Sequence, residues 1–226
     1  MNEDCQKIRP PAARASARRL AWVAGIGALT ATAILFVDVP AVRWLAVGRD
    51  LPAWLESVLD AAGYYGQGFW AIFVFLFMVS VSPANRRHAA HLAVSMAVVF
   101  VLTHFLKSVT SRARPEVFLE TQRMWWFFDG VRHSRYCSLP SAHTASAFAM
   151  SAVLARAFRS GAVVLFAAAF LCGVSRLVDV QHYVSDVIAG AALGVWVGYG
   201  VGRWRWSGKL AGRLTALLDG LFADGD

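Results

Sequence analysis

Charge is scarce in this chain. Only 16% of its 226 residues are Asp, Glu, Lys or Arg, and 58% are hydrophobic, whereas a soluble domain usually carries about 25% charged and about 45–50% apolar residues. That shortage excludes an ordinary water-soluble globule and fits a polytopic membrane protein with one domain. Acidic residues are the scarcer kind, 14 against 22 Lys and Arg, which leaves a formal net charge of +8. A basic balance can mark nucleic-acid binding. No DNA- or RNA-binding motif is present, however, and the cations flank apolar runs, so no nucleic-acid partner is expected. Three cysteines are too few for a disulfide framework. Carboxylates at ligand spacing from histidines are missing too. Glu116, Glu120 and Asp129 stand at no such spacing, so no metal and no cofactor is expected.

Long apolar runs are what the chain does have. Residues 1–19 form a basic polar tail, read as cytoplasmic. The run 20–37 is long for a secretory signal core, and Asp38-Val39-Pro40 makes a poor cleavage site, so it reads as a first transmembrane helix. Residues 38–65 read as a loop holding one short interfacial helix, with Pro52 at its start, Gly63 at its exit, and Trp54, Leu55, Val58, Leu59 and Ala62 on one face. Further runs fall at 66–82, 88–106, 141–157, 161–178 and 183–202, with Pro83–Arg87 as a tight polar turn and His88 and His91 as interfacial residues. The segment 108–140 is the longest outside the runs. Its Trp125, Trp126, Phe127 and Phe128 read as an interfacial anchor or an entry for a lipid tail. Residues 203–226 read as a basic amphipathic tail on the inner surface, with Leu210, Leu214, Leu217, Leu218 and Leu221 at helical spacing.

The expected architecture is therefore all-α: about six transmembrane helices over 20–202, both termini cytoplasmic, and short interfacial helices beside them. The basic tails, Arg86/Arg87 and Arg156/Arg159 all fall on the side of the termini, which marks it as the cytoplasm. Cys5, Cys172 and Cys137 then lie inside, within and outside the membrane, and no pair is expected to form a disulfide.

Three polar clusters land on the outer side. The first is Lys107 with Arg114-Pro115. The second is Pro140-Ser141-Ala142-His143, opening an apolar run. The third is Ser175-Arg176, His182 and Asp186. Each alone is weak; their meeting on one membrane face is the signal. Lys107, Arg114 and Arg176 supply three cations suited to phosphate oxygens. The helix start at Ser141 adds outward N–H groups and a hydroxyl. His182 and Asp186, four residues apart, share a helix face, and the carboxylate fixes the imidazole tautomer. His182 is then the better nucleophile, and His143, with no such carboxylate, the better proton donor to a leaving oxygen.

These residues resemble the type 2 phosphatidic acid phosphatase superfamily, in its integral-membrane lipid phosphatase branch. The family pattern is Lys, six residues, Arg-Pro; then Pro-Ser-Gly-His; then Ser-Arg, five residues, His, three residues, Asp. This chain matches throughout except for Ala142, where the family usually has Gly; an added methyl can crowd a backbone N–H that approaches phosphate, and is expected to be tolerated if that residue is helical. The resemblance implies attack by His182, assisted by Asp186, to form a phosphohistidine. His143 would protonate the leaving group, and Lys107, Arg114, Ser141, the Ala142 N–H and Arg176 would hold the phosphate without metal. Arg112 is not a family position and reads as a headgroup or surface contact. The implied substrates are lipid phosphates: undecaprenyl pyrophosphate, phosphatidate, phosphatidylglycerophosphate or lipid A, met at the periplasmic face of an inner membrane. A catalytically silent lipid-phosphate binding or transport protein is the alternative. A vanadate-dependent haloperoxidase reading fits poorly with the apolar spans.

Overall fold

The computed structural model describes residues 11–48, 51–125, 134–203 and 205–222. The first ten residues with Cys5, and the aromatic Trp126, Phe127, Phe128 and Asp129, lie outside the described residues. The fold is all-α, with no strand among the described residues. Its helices are α1 (Pro11–Thr32), α2 (Asp38–Ala46), α3 (Ala53–Tyr65), α4 (Gly68–Val81), α5 (Pro83–Thr110), α6 (Pro115–Thr121), α7 (Ala142–Ala157), α8 (Ala162–Val178), α9 (Val184–Val201) and α10 (Arg205–Leu221).

Among the described residues, four stretches are long and apolar enough to cross a membrane: Leu20–Ala46, Pro83–Thr110, Arg159–Val178 and Val184–Val201. The pair α3 and α4, bent by 67°, makes a fifth if counted as one broken span. The remaining expected run is α7. At 16 residues it rises only about 24 Å, short of a bilayer core on its own.

Two boundaries differ from the sequence reading. The first span does not stop at residue 37. A π-helical turn, Ala33–Val37, carries it on into α2 as far as Ala46, so Asp38 sits inside a helix rather than in a loop. The second difference is at 83–87, expected as a turn. Ser82 alone breaks the chain there. Its Oγ accepts the Ala84 N–H at 3.3 Å and Pro83 occupies the first helical position, so a capped helix starts at once.

Helix α7 is the centre of the bundle, walled by α5, α8 and α9. Its close contact with α9 follows from Gly190, Gly194 and Gly198, one small residue per turn. A methyl at Gly190 or Gly198 would stand 2.6 Å from Ser141 O or Ala149 O, and one at Gly194 would meet Ala145 O. Without a hydrophobic drive inside a bilayer, such small-residue seams are what bring helices together. The consequence is functional. The starts of α7 and α9, which carry the second and third polar clusters, are clamped side by side, and Ser141 N–H donates to Asp186 O at 3.1 Å.

Helix α3 starts where expected, after Pro52, but runs on through Gly63 to Tyr65 instead of ending there, and it is more than a surface element. Leu59 and Gly63 are buried. Methyl groups at Gly63 and Gly66 would collide with the Arg176 guanidinium and with His143 O, so α3 forms a wall of the polar cluster. Helix α10 is amphipathic as expected. It packs Ala211 and Leu218 into the core and pairs Asp219 with Arg86 at 3.0 Å.

Candidate active site

The cluster assembles from four chain breaks at one end of the bundle: the exit of α5, the start of α7, the α8–α9 turn and the first turn of α9. Ser141 caps α7; its Oγ accepts from Thr144 N and from Thr144 Oγ1 at 3.4 and 2.9 Å, which leaves its own proton available. The first-turn N–H groups of Ala142 and His143 have no carbonyl partner within the helix. The α8–α9 turn is tight. Val180 adopts φ 55°, a strained conformation for a β-branched residue. Arg176 O accepts from Gln181 N and His182 N at 3.1 and 3.3 Å and holds the turn in place.

His182 is buried, and its Nδ1 donates to Asp186 Oδ2 at 3.3 Å. That fixes the tautomer with Nε2 unprotonated. Burial holds the His182 pKa below the ordinary imidazole value against the pull of Asp186, and the charges of Lys107 and Arg114 lower it further. The free ring is therefore neutral, as a nucleophile must be. His143 lies within electrostatic reach of Arg176, His182, Lys107 and Arg114. The structure thus gathers the three clusters of the sequence, 79 residues apart along the chain from Lys107 to Asp186, around one point. Arg114 begins α6 and its Nε is buried without a hydrogen-bond partner. Arg176 is steadied by Asp179 at 2.8 Å and Gln181 at 3.3 Å.

Beneath this lies a layer that sequence reasoning missed. Arg112 is not a surface contact: it is fully buried. Its Nη1 donates to Asp186 Oδ1 at 2.6 Å and its Nη2 to Asp38 Oδ2 at 2.7 Å. The guanidinium stacks 4.0 Å from the Tyr183 ring centroid and 4.9 Å from that of Trp125. Ser185 closes the knot. Its Oγ accepts from Arg112 Nη1 at 2.6 Å and donates to Asp38 Oδ2 at 2.5 Å, while its N–H donates to Asp38 Oδ1 at 3.0 Å. Ser138 Oγ donates to the remaining Asp186 Oδ2 at 2.5 Å. Two carboxylates against one guanidinium leave a net negative charge under His182, placed to stabilise an imidazolium. The available signal was Asp38 itself. A carboxylate inside an apolar run is costly unless paired, and the π-helical turn that precedes it is a common mark of functional helices. Among the described residues, no group of three or more His, Cys, Asp or Glu is arranged to hold a metal ion, and Cys137 and Cys172 form no disulfide.

A buried histidine backed by a carboxylate, with Lys107, Arg114 and Arg176 acting on it or on the neighbouring His143, is an arrangement chemically suited to phosphoryl transfer on a helical membrane scaffold. The chain belongs to the PAP2 superfamily, whose profile matches residues 88–209, in agreement with the motif resemblance. Over that region the chain is similar to lipid phosphatases. It is 36% identical over 161 residues to a lipid A 1-phosphatase of Rhizobium johnstonii, covering 64% of this chain and 66% of the relative. It is 35% identical over 163 residues to a lipid A 1-phosphatase of Rhizobium etli, covering 65% of this chain and 70% of the relative. The chain thus spans about two thirds of the length of these relatives. Among solved structures, Aquifex aeolicus LpxE shares the fold, with a TM-score of 0.56 and 24% identity over 72% of this chain and 92% of that one.

Proposed function

We propose that this protein is an integral-membrane lipid phosphatase that works through a phosphohistidine, and that its substrate is a lipid A-type glycolipid phosphate at the periplasmic face of the inner membrane. The reaction class rests on the family and on the lipid phosphatases among its relatives. The observation that carries the mechanism is the His182–Asp186 pair, with Nδ1 held by the carboxylate and the charges of Lys107 and Arg114 acting on the ring.

In the first step His182 Nε2 attacks phosphorus and a P–N bond forms. The P–O bond to the lipid breaks, and His143 gives its proton to the departing oxygen. Lys107, Arg114, Arg176, Ser141 Oγ and the Ala142 N–H hold the three phosphoryl oxygens and stabilise the charge that grows on them. In the second step His143, now neutral, takes a proton from water. The hydroxide attacks phosphorus, the P–N bond breaks, and inorganic phosphate leaves. Asp186 steadies the positive charge on His182 in both steps, with no metal among the participants. The lipid A preference draws support from the two Rhizobium relatives, both lipid A 1-phosphatases.

The test is release of free phosphate by the purified chain in detergent with EDTA present. The panel would be lipid A, undecaprenyl pyrophosphate, phosphatidate and phosphatidylglycerophosphate, with His182→Ala as control. Release from lipid A ahead of the others, absent from the control, is the expected result. Release that EDTA abolishes would overturn the metal-free mechanism. Phosphate release that persists in His182→Ala would remove that residue as nucleophile. Binding without release by the intact chain would favour the silent-binder alternative.

A further inference from the structure

The end of the bundle opposite the His143–His182 cluster holds a second concentration of basic groups that the phosphatase reading does not use. It is formed by the start of α5 and the last turn of α7. His91, expected to be interfacial, is 4% exposed. Its Nδ1 is buried with no hydrogen-bond partner, as are Nδ1 of His88, Nη1 of Arg156, Nε of Arg86 and Oγ of Ser95. Five of the eight such atoms found among the described residues therefore lie on the first half of α5 or the last turn of α7, with Arg86 turned toward α10. The two imidazole rings are 6.4 Å apart. The charges acting on both rings include those of Arg156 and Arg87, and every charge acting on His91 is basic. Among the described residues, the carboxylate paired with this group is Asp219, half-exposed and engaged by Arg86. Arg156 is wedged against Gly202 at the end of α9, so the guanidinium cannot swing freely into solvent.

Buried donors without partners are rare in native proteins and point to a water or ion that completes the site. When the orphaned groups are basic and gathered together, an anion meets two needs at once: it satisfies the donors and relieves the repulsion between them. The N-terminus of a 28-residue helix, α5, adds its own positive end. We propose that Arg156, His91, His88 and Arg87 form a non-catalytic site for a phosphate-type anion, either the headgroup of an anionic phospholipid or free inorganic phosphate. From the helix rise, His91 and Lys107 on α5 are about 24 Å apart, so this site is separate from the catalytic cluster.

The experiment uses the full chain in detergent or nanodiscs, with two probes. Radiolabelled orthophosphate would be measured by equilibrium dialysis, and phosphatidylglycerol against phosphatidylcholine by native mass spectrometry. Arg114→Ala/Arg176→Ala weakens the catalytic phosphate site and touches nothing here. That chain is expected to retain one bound orthophosphate or one tightly held phosphatidylglycerol. Arg156→Gln and His91→Phe are each expected to weaken that binding at least about tenfold, the loss of one charged hydrogen bond, while kcat/KM for phosphate release stays unchanged. Retention of orthophosphate identifies a free-anion site, and retention of phosphatidylglycerol alone identifies a headgroup site. If the Arg114→Ala/Arg176→Ala chain holds neither probe, or holds both lipids equally and no phosphate, the proposal is overturned. That arm decides the matter even if Arg156→Gln fails to fold. Because phosphate release is read separately, a failure here leaves the phosphatase reading intact, and the reverse also holds.

Discussion

Arg112 and Arg114 stand two residues apart and live in different electrostatic worlds. Arg112 is fully buried and its two terminal nitrogens are committed to Asp38, Asp186 and Ser185. Arg114 is half-buried, and its Nε has no partner. The same contrast divides the whole site. An inner layer of Asp38, Arg112, Ser138, Ser185 and Asp186 is closed, its carboxylates, hydroxyls and the terminal nitrogens of Arg112 paired with one another, although the Arg112 Nε, like that of Arg114, is buried without a partner; an outer layer of Lys107, Arg114, His143 and Arg176 is proposed to face the phosphate. The comparison teaches that residue type does not assign a role. A guanidinium whose terminal nitrogens are held by two fully buried carboxylates positions other groups; one at the half-buried rim is placed to meet a substrate.

The largest effect is expected where the two layers meet. Asp186→Asn keeps the shape but removes the charge that holds the His182 tautomer, and kcat should fall by about 10⁴-fold. Single-turnover phosphate release would measure it. A loss under about tenfold would mean that the inner layer is only scaffolding.

Breaking the inner layer at its centre should register as stability. Arg112→Met leaves two buried carboxylates facing each other, a cost of about 3–5 kcal/mol. Thermal unfolding in detergent should show a large drop. Adding Asp38→Asn to Arg112→Met should restore part of it, because one buried charge is then removed. No recovery in the double variant would show that the two residues are not coupled.

The outer layer should respond in substrate affinity. Arg114→Ala or Arg176→Ala should raise KM by roughly 10–100-fold, the value of a charged hydrogen bond to phosphate, with little change in melting temperature. A thermal shift as large as that of Arg112→Met would erase the distinction between the layers.

The pH profile sharpens the comparison further. His182 must be neutral to attack, and its pKa is held below the ordinary value by burial. The acid limb of kcat/KM should therefore lie below about pH 6.5. The same depressed pKa gives a stability contribution that is complete above about pH 6.5 and lost as pH falls through the folded value. With His143 as the acid, the profile should be bell-shaped, and a flat profile from pH 5 to 9 would contradict the pair of roles. The smallest effect is expected from Ala142→Gly. Ala142 lies at the first position of α7 in helical backbone, which a methyl tolerates, so activity should change by no more than a few-fold.

Much of this protein could be read before its fold was known. Apolar runs separated by polar breaks marked α5, α7, α8 and α9 to within a few residues, because a span must be long and apolar whatever it packs against. The clusters at Lys107–Arg114, Ser141–His143 and Arg176–Asp186 could be read because ionisable groups beside a membrane are expensive. What failed had a common cause. Asp38 looked like the end of a helix, and Arg112 like a surface cation. A charge buried against a distant partner looks, in a sequence, the same as a charge in water. The two residues are 74 positions apart in the chain, and nothing local in either neighbourhood names the other.

Composition, periodicity and motifs of local spacing were enough to reach the all-helical membrane class, the family, and the residue types proposed to meet phosphate. Only the tertiary structure decided that α2 continues the first span, that α3 walls the site, and that Asp38, Arg112 and Ser185 lie locked beneath His182. Those facts depend on which helices touch, and the α7–α9 glycine seam sets that contact by letting two backbones approach where any larger side chain would hold them apart.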